Sequence, residues 1–435
     1  MNATEQRWSP RAERRQTAAA ALVAVALFGA AWALLHCGFY ARDQITDTPV
    51  YKRYGEAMLD GKVPYRDFRV EYPPAALPVF LLPAIADGGA KRAYRRSFEW
   101  LMVLCGLLAV AGLALALAAV QAEPERLVGA LTFLALAPLA LGSVILTRFD
   151  LWPTALMMLG LAAVLAARER TGLAVLGLAA SAKLFPAVLA PLAVVHVWRR
   201  RGGREGLLGA AIFGGVVAAC FLPFVILSPG GVWDSVRRQA ERPLQIETLG
   251  SSVLLVAHQL WGYAITLDLS HGSQNQGGSV ADAFAEAQIA LQALVVSALW
   301  VGYARGSADR ERLVRYAAAT VAAFVAFGKV LSPQFLIWLL PLVPLVRGRR
   351  GFVASGVLGL ALVVTQLWFP YRYWDLALRL DERASWLVLV RDLVLVALVV
   401  VLTVPRRGDA ARTVPPASSA TSPERVQLGS SPPGR

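Results

Sequence analysis

The chain has 435 residues, 57% of them hydrophobic, a mean hydropathy of +0.53 and a formal net charge of +14. Soluble domains are far less apolar, so an ordinary soluble multidomain protein is excluded. The basic residues fall in short clusters between apolar runs, without one basic face or a reader module, which excludes nucleic-acid binding.

Arg7, Arg11, Arg14 and Arg15 precede the apolar run Thr17 to Leu35. Residues 1–16 therefore read as a cytosolic N-terminal segment and the run as a retained signal anchor. A cleaved signal peptide is the rival, but no small-x-small site follows. The next stretch, Asp47 to Pro74, reads DTPVYKRYGEAMLDGKVPYRDFRVEYPP. It is polar and tyrosine-rich, and the anchor places it outside, within a first outer loop over 38–97. Pro73 to Ala86 is apolar but 14 residues long, with prolines at 73, 74, 78 and 83. That length predicts a re-entrant or interfacial helix. A crossing there would instead put the basic cluster Lys91 to Arg96 inside.

Ten further apolar runs extend from Phe98 to Val120 through to Trp386 to Val404. Basic links at 168–170, 198–204, 305–315, 347–350 and 406–407 read as cytosolic. Gly172 to Val197 begins and ends beside such links. It is best split near Lys183 and Pro186 into two half-spans that meet at the outer side. Leu313 to Phe327 and Phe335 to Val346 repeat this layout, with Lys329 and Pro333 at the turn. The sum is about 11 to 13 crossings. The link 228–283 is a second outer loop. It carries Arg237, Arg238, Arg242, Gln245, Glu247, His258 and the Ser273-Gln274-Asn275 triplet, with a short amphipathic helix expected over Val253 to Tyr263. Residues 405–435, rich in Ser, Pro and Arg, read as a disordered cytosolic tail.

Three cysteines, Cys37, Cys105 and Cys220, lie in or beside apolar runs and read as small buried side chains. The four histidines show no metal-ligand spacing, so neither a metal nor a cofactor is implied.

Outward-facing cations in apolar context carry the first chemical signal. Arg148 in TRFD, Lys183 in SAKLFP and Lys329 in GKVLSPQ map to outer ends of spans. A cation at membrane depth is costly and usually has a partner. A lipid phosphate or pyrophosphate would account for all three, whereas snorkelling to headgroups would account for one at a time. Asp43, Asp47, Asp67, Glu71 and Asp150 gather at the same face. Sugar transfer to a hydroxyl needs a base for the hydroxyl proton. One carboxylate suffices for inversion, while a double displacement needs a second one about 5 Å away. Any of these acids could instead pair with Arg66, Arg69 or Arg148. Asp47 has no such neighbour on its N-terminal side and ranks first. Tyr51, Tyr54, Tyr65 and Tyr72, and the group Trp368, Phe369, Tyr371, Tyr373 and Trp374, suit sugar stacking or an interfacial aromatic belt.

At these residues the chain resembles glycosyltransferase family 87, polyprenyl-phosphate-sugar-dependent enzymes of the GT-C fold. Asp47, Tyr51, Gly61, Pro64, Tyr65, Tyr72, Pro73 and Pro74 match the pattern of its first outer loop. RFD at 148–150, SAKLFP at 181–186 and KVLSPQFLIWLLP at 329–341 resemble its later motifs, and the likeness spans roughly 40–345. The resemblance implies an all-α integral membrane GT-C protein with an outer-face catalytic loop and a transferase domain over 17–404. It implies inverting transfer of mannose, or of arabinofuranose as in some relatives, from a polyprenyl-phosphate donor to a lipid or glycan acceptor. The site would face outward from a multi-pass protein in the bacterial plasma membrane. Asp47 takes the role of base. Lys183, Lys329 and Arg148 take the donor phosphate, and Tyr51, Tyr65, Arg66, Glu71, Tyr72, Asp150, Ser332 and Gln334 contact substrate. The D-x-D of other GT-C families is absent around Asp47, where the sequence reads DTP. RPLQIE at 242–247 and GSQN at 272–275 have no assigned role. The rival class is a secondary transporter or lipid flippase, in which Lys183 and Lys329 would sit mid-bilayer within repeat symmetry.

Overall fold

Helix length follows the apolar runs only in part. In the computed structural model, which describes residues 10–42, 44–87 and 91–404, seven helices are long and apolar enough to cross a bilayer. They cover Arg15–Leu34, Ala93–Ala119, Pro124–Leu141, Gly203–Leu227, Ser279–Arg305, Gly348–Trp368 and Glu382–Thr403. The other apolar runs are short or broken helices, so the expected 11 to 13 crossings resolve into these seven and a set of interrupted segments. Residues 1–9, Asp43 and the tail from 405 lie outside the described residues.

The Leu151–Leu165 helix is apolar on all sides and buried along most of its length, as a helix surrounded by others must be. It packs between Lys91–Ala119 and Glu169–Ala182, and the latter packs on Gly203–Leu227. Gly160 and Gly172 let two of these backbones meet, since a Cβ on Gly160 would lie 3.1 Å from the Gly172 carbonyl oxygen. Gly203–Leu227 buries only Gly206 and Gly209 and leaves Ile226 71% exposed. An apolar surface of that extent is stable against lipid, not water.

Both interrupted runs break at the expected lysines. Glu169–Ala182 ends at Lys183, whose backbone is extended (φ −157°, ψ 146°), and a 3-10 turn over Phe185–Leu189 leads into Ala190–Arg201. Pro186 has no N–H to donate and opens that turn. Arg310–Ala326 gives way to an irregular turn holding Lys329, and then to a 3-10 helix over Pro333–Leu339. The second half of that pair, expected over Phe335 to Val346, is therefore not a regular α-helix.

The first polar loop folds as a helix, Thr48–Leu59, an open chain, and an apolar helix, Leu77–Asp87. The last has 11 residues, a rise of about 16 Å, well short of the ~30 Å hydrocarbon core. Aromatic contacts fasten the loop down. Tyr51 stacks on Phe80 at 4.6 Å, and Tyr72 meets Phe149 edge-on at 4.9 Å.

The 228–283 link adds one small sheet to the helical fold. Between the helices Pro229–Ala240 and Leu249–Trp261 lies strand β1 (Leu244–Gln245), and beyond them a hairpin of β2 (Thr266–Ser270) and β3 (Ser273–Gly277). The sheet is antiparallel with order β1-β3-β2. His271 and Gly272 both have positive φ (54° and 66°), the two-residue turn whose twist suits a hairpin. The two long polar loops touch at Gly231, where any Cβ would collide with the Tyr65 carbonyl. The Ser228 hydroxyl donates to that carbonyl at 3.3 Å, and Gln239 Nε2 donates to the Glu71 carbonyl at 3.2 Å. Among the cysteines, Cys105 is buried but Cys37 is exposed, against the expectation, because it lies past the end of the first helix.

Candidate active site

Stretches distant in sequence converge on one cavity of about 570 Å³ between the two long polar loops and the helix breaks. Asp47 sits just before the Thr48–Leu59 helix and makes no side-chain cap to it. Its carboxylate instead accepts from the Tyr51 hydroxyl at 3.4 Å and pairs with the Arg148 guanidinium. The positive end of the helix favours the ionised form of a carboxylate placed there. Arg148 and Asp150 flank Phe149 in an extended turn between the Val144–Thr147 and Leu151–Leu165 helices. Arg148 is 7% exposed and its Nε has no partner.

Asp150 is 1% exposed. One of its oxygens accepts from Lys183 Nζ at 2.6 Å and from Trp338 Nε1 at 2.7 Å. Lys183 Nζ also lies 4.9 to 5.1 Å from the ring centres of Phe149, Phe335 and Trp338. An aromatic cage of this kind adds attraction for a desolvated cation. Lys329 Nζ donates to the Ala240 carbonyl at 2.7 Å.

Glu71, Tyr51, Tyr72, Ser332, Gln334, Tyr373 and Trp374 also line the cavity. Tyr51 is 1% exposed and chiefly packs. Tyr65 and Arg66 line a second, smaller cavity of about 370 Å³ that shares only Glu71 with the first. The Tyr65 hydroxyl donates to the Tyr72 carbonyl at 2.6 Å. Arg66 makes a two-pronged pair with Asp67, at 2.9 Å for each contact. That guanidinium, with the Val63 N–H, holds the Asp67 carboxyl down at about 2.

Three residues of the RPLQIE stretch enter the wall: Arg242, Gln245 and Glu247. Glu247 is 2% exposed, and burial pushes its carboxyl up to about 7. Its Oε2 accepts from Gln245 Nε2 at 2.7 Å and from Ser332 Oγ at 3.3 Å, while Oε1 has no partner. From behind, Arg391 of the last span donates to the Glu247 carbonyl at 2.5 Å and to Asp392 at 2.7 Å. The sequence signal for this group was thin. A polar run in a long loop does not reveal that the loop folds back onto the cavity. Among the described residues no group of three or more His, Cys, Asp or Glu side chains is placed to hold a metal ion.

The profile of glycosyltransferase family 87 matches residues 71–333, more than half of the chain. That range takes in the Arg148, Asp150, Lys183, Glu247 and Lys329 positions and begins after Asp47. Among solved structures the chain is similar to the crystal structure of ArnT from Cupriavidus metallidurans bound to undecaprenyl phosphate. That likeness is 15% identity over 88% of this chain and 76% of that one, with a TM-score of 0.46. A search of curated proteins gave no match.

Proposed function

The chain belongs to glycosyltransferase family 87, and we propose that it moves a sugar, mannose in the first instance, from a polyprenyl-phosphate donor to a lipid- or glycan-linked acceptor at the outer membrane face. The observation that carries this reading is the convergence of Asp47, Arg148 to Asp150, Lys183 and Lys329 to Gln334 on one cavity. The exposed apolar side chains of Leu184 and Ile289 border the same cavity, and Ile289 belongs to the Ser279–Arg305 span. A prenyl chain lying against them would stay in lipid while its phosphate met the cations.

In the proposed inverting step the acceptor oxygen attacks the anomeric carbon from the face opposite the phosphate. The acceptor O–H bond breaks and its proton passes to Asp47. The new O–C bond forms as the carbon–phosphate oxygen bond breaks, and the electron pair leaves with the polyprenyl phosphate. Arg148 keeps Asp47 ionised and aimed until then. The caged Lys183–Asp150 pair, with Glu71, Tyr72, Ser332 and Gln334, would frame the sugar.

The test is transfer of label from radiolabelled polyprenyl-phosphate mannose into native lipid extract, in membranes carrying wild type or Asp47→Asn. Transfer by wild type and none by a folded Asn variant supports the reading. Equal transfer by both would remove Asp47 from the base role. No transfer from mannose or arabinose donors, with movement of lipid across vesicles, would favour a transporter.

A further inference from the structure

Four cations line the cavity, and two are already balanced by acids: Arg148 by Asp47 and Lys183 by Asp150. Arg242 and Lys329 differ. Among the described residues neither forms an ion pair with a carboxylate. Arg242 Nη2 donates to the neutral Ser273 hydroxyl at 3.1 Å, and its Nε is buried without a partner. Lys329 Nζ meets only the Ala240 carbonyl, at 2.7 Å. The two residues sit on segments stitched together, since the Gln245 N–H donates to the Lys329 carbonyl at 3.1 Å. Burial and the nearby Arg242 charge hold the Lys329 ammonium below the usual lysine value. Burial likewise holds the Arg242 guanidinium below its usual value, and Glu71 and Glu247, which line the same cavity without pairing with it, offset that only in part. Two like charges held together in a partly dry site repel unless an anion lies between them.

We infer that Arg242 and Lys329 form the seat of a phosphate ester, with Arg242 a binding residue supplied by the β1 end of the second outer loop. The Arg148–Asp47 and Lys183–Asp150 pairs are then left to the sugar end. The inference rests on the transferase reading only for the name of the ester. A phosphate between these residues would satisfy the orphaned Arg242 Nε and relieve the repulsion. Charge-assisted hydrogen bonds of this type shift affinity by roughly ten- to a hundredfold each.

The experiment is binding without turnover. Wild type, Arg242→Gln, Arg242→Lys and Lys329→Gln, in lipid nanodiscs, are titrated with a long-chain polyprenyl phosphate and separately with inorganic phosphate, and tryptophan fluorescence is followed. Arg242→Gln and Lys329→Gln are expected to weaken binding about tenfold or more. Arg242→Lys is expected to keep most of the affinity, and added salt to weaken wild type more than either neutral variant. Binding of the lipid but not of inorganic phosphate assigns the seat to a lipid-linked ester, and the reverse assigns it to free phosphate. Neutral variants that melt like wild type and bind equally well would overturn the seat. A misfolded Arg242→Gln leaves the decision to Arg242→Lys, Lys329→Gln and the salt dependence. A wild type that binds through these residues yet transfers no sugar keeps the seat and loses the transferase reading.

Discussion

Arg148 and Asp47 pair in the cavity lining, and the pair is buried on one side only: the Arg148 side chain is 8% exposed and that of Asp47 31%. Losing Asp47 strands a buried guanidinium, whereas losing Arg148 leaves a carboxylate that water can reach. Asp47→Asn is therefore expected to cost about 3 kcal/mol of stability and Arg148→Gln less, about 1 to 2 kcal/mol. The double variant should recover part of the Asp47→Asn loss. Thermal melting of the four proteins in nanodiscs measures the coupling. If Asp47 is the base, its Asn variant also loses about a hundred- to ten-thousandfold in kcat.

Lys183 and Asp150 are coupled more tightly, because both lie inside the aromatic cage and Asp150 also holds Trp338 Nε1. Lys183→Met leaves Asp150 buried without its cation, an expected loss of about 3 to 5 kcal/mol. Trp338→Phe keeps a ring over the ammonium but removes one charged hydrogen bond, about 1.5 to 3 kcal/mol. A melting series in which Trp338→Phe destabilised more than Lys183→Met would contradict this ranking.

The Glu247 carboxyl, raised by burial from an ordinary 4.5 to about 7, makes stability depend on pH. Between those values the folded protein holds a proton that the unfolded chain has released. The stabilisation it brings is full below 4.5 and is lost as pH rises through 7. Glu247→Gln removes this dependence. The variant should gain on wild type as pH rises from 5 to 8, by up to ~3 kcal/mol. Melting curves at pH 5, 6, 7 and 8 test it, and a constant difference across the series would rule the effect out.

Arg391 and Asp392 are 0% and 1% exposed within the last span and tie it to the Glu247 backbone. Arg391→Met alone is expected to destabilise by about 3 to 5 kcal/mol, and the further change Asp392→Leu to restore much of that. If Arg391 also positions the second loop, the restored double variant will keep its stability but show a raised donor KM. A double variant with wild-type KM would leave Arg391 a purely structural role.

Much of the architecture could be read from the sequence because lipid imposes simple rules. Every backbone polar group in hydrocarbon needs an internal partner, so long apolar runs become helices. A proline beside a lysine in such a run breaks it, as at Lys183 and Lys329. Family-like motifs at 47–74, 148–150, 181–186 and 329–341 marked the segments that line the cavity. The hairpin over 266–277 left a fainter trace, the alternation Thr266-Leu267-Asp268-Leu269-Ser270 before His271-Gly272, and polar strand residues hid it.

By itself, then, the sequence determined a multi-pass helical membrane protein of this family and a set of charged residues at its helix ends, since hydropathy and local motifs are properties of contiguous residues. Only the tertiary structure decided which charge meets which. Asp47 finds Arg148, Asp150 finds Lys183, and among the described residues Arg242 and Lys329 pair with no acid and bond instead to the Ser273 hydroxyl and the Ala240 carbonyl. Those pairings depend on how the two long polar loops fold and dock on each other at Gly231. They follow from long-range packing, which no spacing along the chain encodes.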